Sequence, residues 1–255
     1  MERLPISRLN KKMRLDVYLA DTGLVDSRTD AKNFIITGAV TVNGKVVKKP
    51  AFEINGQENV EVDKSGKKFV SRGGKKLEAA LDGFGIDPTG LVALDVGASS
   101  GGFTDCLLQR GAAKVIAVDS GSGQMVQSLR DDPRVTVIEN FNARYMSSDD
   151  FRHIPEIAVM DVSFISAKLI IPSVFSVLKD NSLFVCLIKP QFEVGRAGLN
   201  KKGIVKNDVL RKRAVDDVVE FASVVGFSFI GLMESPILGG DGNTEYLGCF
   251  RKDSK

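Results

Sequence analysis

The sequence of 255 residues contains one histidine, three cysteines and no tryptophan. Because His153 is alone, histidine-rich zinc sites, which need several histidines, are excluded. Cys106, Cys186 and Cys249 are an odd number, widely spaced, and have apolar neighbours. We therefore expect reduced, buried thiols in a cytosolic protein and neither disulfides nor metal ligands. We expect any acid–base chemistry to use lysine, aspartate, glutamate or tyrosine.

Long hydrophobic runs are also missing from the chain. No apolar stretch approaches the roughly 18 residues that span a bilayer. The N-terminus has basic residues without an apolar core, which is not the pattern of a secretory signal. Hydrophobic residues make up 43% of the chain and charged residues 26%, as in an ordinary soluble globular protein. We expect a cytoplasmic protein with no membrane partner and no required metal; its oligomeric state has no sequence signal.

Positive charge is concentrated near the N-terminus, although the formal net charge of the whole chain is only +3. Residues 1–68 contain 13 Lys and Arg against nine Asp and Glu, a net of +4, whereas residues 69–255 have a net of −1. An excess of positive charge on a small segment indicates a polyanionic partner. A solvated basic face is the alternative that charge alone leaves open.

A glycine-rich stretch follows a buried strand pattern in the second part of the chain. Apolar residues from Leu91 lead to Asp95, and the small residues beyond it are typical of a tight turn into a helix that starts near Gly102. A second apolar strand ends at Asp119, where a carboxylate can accept hydrogen bonds from a ribose diol. The pattern D-x-G-x-x-x-G-G departs from the dinucleotide fingerprint, because Asp95 would repel a pyrophosphate. We expect a nucleotide-type pocket for a ligand with ammonium and sulfonium groups.

This pattern resembles motif I of the S-adenosylmethionine-dependent methyltransferases. The resemblance implies S-adenosyl-L-methionine as the cofactor, whereas a plain tight turn is the alternative for the glycines alone. The residues that we predict to bind the cofactor are Asp95, Gly97, Ser99, Gly101, Gly102, Phe103, Asp119, Asn142 and Asp161.

The order of strand and helix patterns predicts an α/β fold. Further apolar strands end near Glu139, Asp161 and Lys189. A long helix is predicted from Asp208 to Val225, capped by Asn207 and ended by Gly226, and two closing strands follow it. This alternation indicates a mostly parallel sheet with helices on both faces. Together with the resemblance to motif I, this order implies a Rossmann-like class I methyltransferase domain with seven strands, which follows a small N-terminal α/β domain.

The predicted domains are residues 1–63 and 69–255, joined by a polar linker at 64–68. In the first domain, helices at 14–21 and 28–37 precede a hairpin at 40–47 with Asn-Gly at its turn. The core pattern R-L-D-x-x-L…S-R-x-x-A…G-x-V-x-V-N-G resembles the alpha-L RNA-binding domain known from a small-subunit ribosomal protein, rather than a generic basic α/β segment. The residues predicted to contact RNA phosphates are Arg14, Arg28, Lys32, Lys45, Lys48 and Lys49.

Four ionisable residues are predicted to meet at the carboxyl edge of the sheet. They are Lys76, Asp161, Lys189 and Glu245. Because Lys189 ends an apolar strand, it is poorly solvated, and the balance of neighbouring charges could let it take a proton from a weakly acidic hydroxyl. A buried structural salt-bridge network is the alternative that position alone leaves open.

The motifs around these four residues resemble a known family. They are S-R-x-x-K-K-L with Lys76, M-D-V-S-F-I-S with Asp161, I-K-P-Q-F-E with Lys189 and G-N-T-E-Y with Glu245. From Phe69 onward the chain resembles the FtsJ-like ribose methyltransferases, whose catalytic set is Lys-Asp-Lys-Glu, and the whole chain resembles the TlyA family, often labelled hemolysins. The resemblance implies S-adenosylmethionine-dependent 2′-O-methylation of cytidine in ribosomal RNA, with ribosomal RNA or a ribosomal subunit as partner. Residues 120–124 depart from the family's G-Y-G-Q segment, since they lack its aromatic residue.

Three other functions compete with this interpretation. A base methyltransferase would need an Asn-Pro-Pro-Tyr-type clamp or a catalytic cysteine at a strand end, and neither is present. A membrane-active hemolysin would need an amphipathic or spanning segment, but the apolar stretches are accounted for as sheet core. A non-catalytic RNA-binding factor would have no reason to keep Lys189 beside Asp161. The last two stay as alternative functions.

Overall fold

The computed structural model describes residues 12–25, 27–63, 68–239 and 242–254. The chain divides into two compact units, here called the N-terminal unit and the C-terminal unit, and the boundary in the sequence falls between Lys68 and Phe69. Each unit has its own buried apolar core. Residues 64–67 of the predicted linker lie outside the described residues.

The described part of the N-terminal unit contains two helices and five short strands. Strand β2 pairs with β3 and with β5, and strand β1 pairs with β4, all antiparallel. The elements in chain order are β1 Met13–Arg14, α1 Leu15–Asp21, α2 Arg28–Thr37, β2 Val40–Val42, β3 Lys45–Val46, β4 Glu53–Ile54 and β5 Val60–Val62.

Local sequence signals account for these elements. Ser27 caps α2 by accepting a hydrogen bond from the backbone N–H of Asp30, and α2 buries the predicted face of Ala31, Phe34 and Ile35. The hairpin turn is Asn43-Gly44, with φ values of 50° and 75°, the left-handed pair that a two-residue turn of this type requires. The first helix begins one residue later than predicted, because Arg14 pairs with Glu53 in β1.

The C-terminal unit is built on one seven-stranded sheet. The elements in chain order are α3 Gly73–Phe84, β6 Val92–Val96, α4 Gly102–Gln109, β7 Lys114–Val118, α5 Gln127–Arg130, β8 Val135–Ile138, β9 Ile157–Met160, α6 Ile171–Val177, β10 Leu183–Ile188, α7 Asp208–Val225, β11 Phe227–Glu234 and β12 Tyr246–Lys252. The strand order is β11-β12-β10-β9-β6-β7-β8. Strands β6 to β10 run parallel, whereas β12 is antiparallel to both β10 and β11. The predicted mostly parallel seven-stranded α/β fold is confirmed.

Helices cover both faces of this sheet because the strands are apolar on both sides. Leu77 of α3 and Leu107 of α4 belong to the core on one face, while Val174 of α6 and Val218 of α7 belong to the core on the other.

All three cysteines are buried and free, as expected, and burial raises the pKa of Cys249 to about 11.

Helix α7 is the longest helix that the structure describes. Asn207 caps it by accepting hydrogen bonds from the backbone N–H groups of Val209 and Leu210, and Gly226 ends it, as predicted. Only one side of α7 is buried against the sheet.

Within the described ranges, no helix has both the length and the apolar character needed to cross a membrane.

Candidate active site

A pocket of about 460 Å³ lies where the parallel strands β6, β7 and β9 reach their carboxyl ends. This is the edge at which open α/β sheets bind their ligands. The wall comes from the segments after each strand, with contributions from Gly97 and Ser99, from Asp119 to Gly121, and from Asp161 to Ile165. Its volume falls within the range of small-molecule and cofactor sites.

Gly97 allows the segment after β6 to touch the end of β9. Its φ is 83°, and a Cβ atom at this position would lie 2.5 Å from the backbone oxygen of Asp161. Any side chain would therefore strain the backbone and push these two pocket walls apart. The glycine therefore allows the backbone after β6 to pass close to the backbone of Asp161.

Asp119 is held in a fixed orientation at the pocket wall. Its carboxylate accepts hydrogen bonds from the backbone N–H groups of Ser99 at 2.8 Å and Gly121 at 2.7 Å. The Ser99 hydroxyl donates to the Gln124 side chain at 3.0 Å, and Gln124 also lines the pocket. A carboxylate anchored in this way offers its remaining lone pairs to the hydroxyls of a ribose.

The structure divides the nine predicted cofactor residues into two groups. Five line the pocket: Gly97, Ser99, Asp119, Asn142 and Asp161. Four are buried and do not line it: Asp95, Gly101, Gly102 and Phe103. Tight packing explains the second group, since a Cβ atom on Gly102 would collide with the Ser71 hydroxyl just before α3.

Asp95 is a fully buried carboxyl group, with 0% of its surface exposed. Thr104 donates a hydrogen bond to one carboxyl oxygen at 2.6 Å, and the other oxygen, Oδ1, is buried without a partner among the described residues. Burial raises the pKa of Asp95 to about 7, and the nearby charge of Asp161 adds to this effect. The group therefore changes charge near neutral pH beneath a pocket that is lined by other acids.

We expect Asp95→Asn to stabilise the ligand-free protein at pH 8. Because the folded pKa of Asp95 lies above its unfolded value, ionisation lowers the free energy of unfolding as the pH rises from about 4 to about 7, by about 1.4 kcal/mol per pH unit. Asparagine keeps the shape and does not ionise. Urea unfolding at pH 5 and pH 8 should show a smaller pH dependence in Asp95→Asn than in the wild type.

The control for this experiment is Asp149→Asn, which removes an exposed acid from the same unit. It should unfold with the pH dependence of the wild type. If both variants show the same pH dependence, the charge change of buried Asp95 does not govern stability.

The four predicted catalytic residues form two close ion pairs. Lys189 Nζ lies 2.6 Å from Asp161 Oδ1, and Lys76 Nζ lies 2.5 Å from Glu245 Oε2. Lys76, Lys189 and Glu245 are buried, whereas Asp161 is partly exposed and lines the pocket. Lys189 follows β10 and Asp161 follows β9, so the pairing of these neighbouring parallel strands brings the two side chains together.

Two further polar residues join these pairs, and sequence reasoning missed both. Ser163 Oγ accepts a hydrogen bond from Lys189 Nζ at 2.7 Å, and Gln191 Nε2 donates to Glu245 Oε1 at 3.3 Å. Each lies two positions after a predicted residue, within the motifs M-D-V-S-F and I-K-P-Q-F. This placement was the available signal. The amide oxygen of Gln191 is buried without a partner among the described residues.

Phe164 is an exposed aromatic residue on the pocket wall. It is 91% exposed, and its φ of 63° is rare for a bulky side chain. Its ring centroid lies 5.3 Å from that of Phe192, the residue that follows Gln191. Such strained, exposed positions are concentrated at functional sites.

Glu193 joins the segments that follow β9 and β10. Its carboxylate accepts hydrogen bonds from the Ser166 hydroxyl at 2.6 Å and from the backbone N–H of Ala167 at 2.8 Å.

In the part of the chain that the structure describes, no group of three or more His, Cys, Asp or Glu residues is placed to hold a metal ion.

The predicted RNA-binding residues are all exposed on the N-terminal unit. Arg14 and Arg28 both pair with Asp16. The other four have no acidic partner within ion-pair distance among the described residues: Lys32, Lys45, Lys48 and Lys49. The unit therefore presents several cations to solvent, of which two are held by one carboxylate.

Two family models match the chain. The model described as FtsJ-like methyltransferase matches residues 69–252, and the model described as S4 domain matches residues 13–60. Hemolysin A of Brachyspira hyodysenteriae is 44% identical over 93% of this chain and 99% of its own length. The 16S/23S rRNA (cytidine-2′-O)-methyltransferase TlyA of Mycobacterium tuberculosis is 40% identical over 93% of this chain and 89% of its own length.

Solved structures include a relative of comparable similarity. A protein from Streptococcus thermophilus that carries a hemolysin label is 41% identical, with a TM-score of 0.78 over 96% of this chain and 90% of that chain. The match to this structure includes residues of both units, and so do the matches to the two sequence relatives.

Proposed function

The chain belongs to the TlyA family, with an S4 domain and an FtsJ-like methyltransferase domain, and we propose that it is an S-adenosylmethionine-dependent rRNA (cytidine-2′-O-)methyltransferase. The observation that carries this proposal is the buried Lys189 paired with Asp161 at the edge of the pocket. We propose that its substrate is ribosomal RNA or a ribosomal subunit and that it acts in the cytoplasm.

The residues of the pocket fit S-adenosyl-L-methionine. The fixed Asp119 carboxylate suits a ribose diol, and Asp119 and Asp161 place acidic side chains on the pocket wall, which suits a cationic ligand. The unpartnered Oδ1 of Asp95 beneath the pocket supports the same interpretation. When bound, this cofactor supplies an electrophilic methyl group.

The proposed role of Lys189 is to remove or share the proton of the RNA 2′-hydroxyl. Asp161 and Ser163 hold its Nζ atom at 2.6 and 2.7 Å, so the amine is oriented before the substrate arrives. A positioned general base of this kind contributes about 10²–10⁴-fold to the rate. Lys76, oriented by Glu245, places a second cation at this edge, where it would help to position the hydroxyl.

The surroundings of the pocket suit an unstacked nucleotide. Phe164 presents a ring to solvent on the pocket wall, and aromatic rings of this kind stack on nucleobases. Enzymes that act on a nucleotide within folded nucleic acid take it out of the stack or use single-stranded substrate. The basic N-terminal unit would meanwhile contact the RNA backbone, which positions the substrate without base recognition.

Methylation of ribosomal RNA is the direct test of this function. The purified protein, with S-adenosyl-L-methionine and ribosomal subunits from cells that lack the gene, should produce 2′-O-methylcytidine, detected by nuclease digestion and mass spectrometry. Subunits from cells that carry the gene are the control, since their target should already be methylated. Methyl groups on a base would identify a base methyltransferase, and RNA binding without methyl transfer would identify a binding factor.

A further inference from the structure

Asp16 is the only charged side chain that is buried in the described part of the N-terminal unit. It lies in the first turn of α1, with 0% of its surface exposed. Its carboxylate accepts hydrogen bonds from Arg14 Nε at 2.9 Å and Nη2 at 3.0 Å, and from Arg28 Nε at 3.3 Å. The Arg14 hydrogen bonds, with a smaller contribution from Arg28, hold the pKa of Asp16 below its ordinary value despite burial. The cluster is therefore one anion that contacts two cations.

Structural stabilisation alone does not explain this arrangement. A buried carboxylate needs one well-placed cation, and an apolar residue of similar size often stabilises a fold as well as a buried ion pair does. The second arginine leaves the cluster with a net charge of +1. The Asp16 carboxylate also holds the two guanidinium groups close together, although two cations at this separation would otherwise repel each other.

The two guanidinium groups keep hydrogen-bond donors that are not used within the unit. Arg14 contacts Asp16 through Nε and Nη2, and Arg28 contacts it through Nε alone. Nη1 of Arg14 and both terminal nitrogens of Arg28 make no other hydrogen bond with the residues that the structure describes. Both arginine side chains are about half exposed. Planar forks of this kind match the geometry of phosphate oxygens.

The geometry points to Asp16 as a positioning residue that holds Arg14 and Arg28 together as one clamp for a backbone phosphate of RNA. This inference rests on the proposed RNA-binding function of the N-terminal unit. Arg14 immediately precedes α1 and Arg28 is the first residue of α2, so the shared carboxylate joins the starts of two helices. A phosphate that bridges the two forks would receive donors from both helices at once.

Two hypotheses predict opposite effects of Asp16→Asn on RNA affinity: that binding depends on net charge, and that Asp16 positions the two arginines. The substitution removes one negative charge, so a binding surface that depended on net charge would bind RNA more tightly. If Asp16 positions the arginines, the two guanidinium groups separate and binding weakens. We expect about a tenfold or greater loss of affinity, the size of a lost charge-assisted contact.

The experiment measures binding of the full-length protein to a ribosomal RNA fragment by fluorescence anisotropy at several salt concentrations. Asp21→Asn is the matched control, because it makes the same charge change at an exposed position of the same helix. It should bind as tightly as the wild type or more tightly. Asp16→Asn should bind more weakly, with a flatter salt dependence, while its kcat at saturating RNA stays unchanged and its KM for RNA rises. Equal affinities for the two variants would overturn the inference.

A second set of variants covers the case in which Asp16→Asn disturbs folding, which thermal denaturation would reveal. Arg14→Lys with Arg28→Lys keeps both charges and removes both forks. This double variant should weaken binding, and adding Asp16→Asn to it should cost little more, because coupled residues are not additive. Wild-type affinity in the double variant would overturn the inference. Failure of the wild type itself to bind RNA would instead contradict the proposed function.

Discussion

Lys189→Ala is expected to lower the rate of methyl transfer by about 10²–10⁴-fold, the usual contribution of a positioned general base. Affinity for S-adenosyl-L-methionine should change by no more than a few-fold, because Lys189 does not line the pocket whereas its partner Asp161 does. Single-turnover methylation of ribosomal RNA measures the first quantity, and calorimetric titration of the cofactor measures the second.

Two further variants separate the proton role of Lys189 from its charge. Lys189→Arg keeps a cation beside Asp161, but a guanidinium does not give up its proton at accessible pH, so this variant should also be inactive. Lys179→Ala is the matched control. Lys179 precedes β10 at the opposite edge of the sheet and forms an exposed ion pair with Glu156. The rate of this variant should equal that of the wild type. An active Lys189→Arg protein would show that charge, and not proton abstraction, is what the reaction needs.

Replacing Lys48 and Lys49 together by glutamine is expected to weaken RNA binding by tens of fold at 0.1 M salt. Both side chains are exposed and have no acidic partner within ion-pair distance among the described residues. Each lost contact with a duplex phosphate lowers the slope of log affinity against log salt by about 0.9, so the slope should fall by about 1.8. Anisotropy titrations at three or more salt concentrations measure both effects.

The control is a double variant with the same charge change in the C-terminal unit. Lys114→Gln with Lys179→Gln removes two lysines at the starts of β7 and β10, the sheet edge opposite the pocket. Its affinity and slope should stay close to those of the wild type. If the two double variants lose affinity equally, RNA binding reflects the net charge of the chain and not a surface of the N-terminal unit.

The sequence by itself determined most of the strands of the sheet and the approximate positions of their ends. Apolar runs that stop at Asp95, Asp119, Asp161 and Lys189 mark strands whose carboxyl ends meet at one edge, because parallel strands of a sheet share their direction. Caps and turns followed the same local rules, as at Ser27 before α2. These signals were readable because each depends on residues that are near one another along the chain.

The partners of the charged groups were decided by tertiary structure. Lys76 and Glu245 are separated by 169 positions in sequence, and they meet because β12 inserts antiparallel between β11 and β10. Asp95 has the sequence pattern of a cofactor ligand, yet the packing of α4 on the sheet buries it beneath the pocket. Sequence periodicity shows which side chains are buried, but it does not show which groups they contact in the folded protein.

Asp16 is the clearest case of this division. Its place in the R-L-D motif indicated an RNA-binding domain, but nothing in the pattern showed that its carboxylate is buried or that it contacts two arginines. Arg14 is two residues away, whereas Arg28 reaches Asp16 only because α1 packs against α2. A charge can be buried only where its partners surround it, and the fold alone brings those partners together.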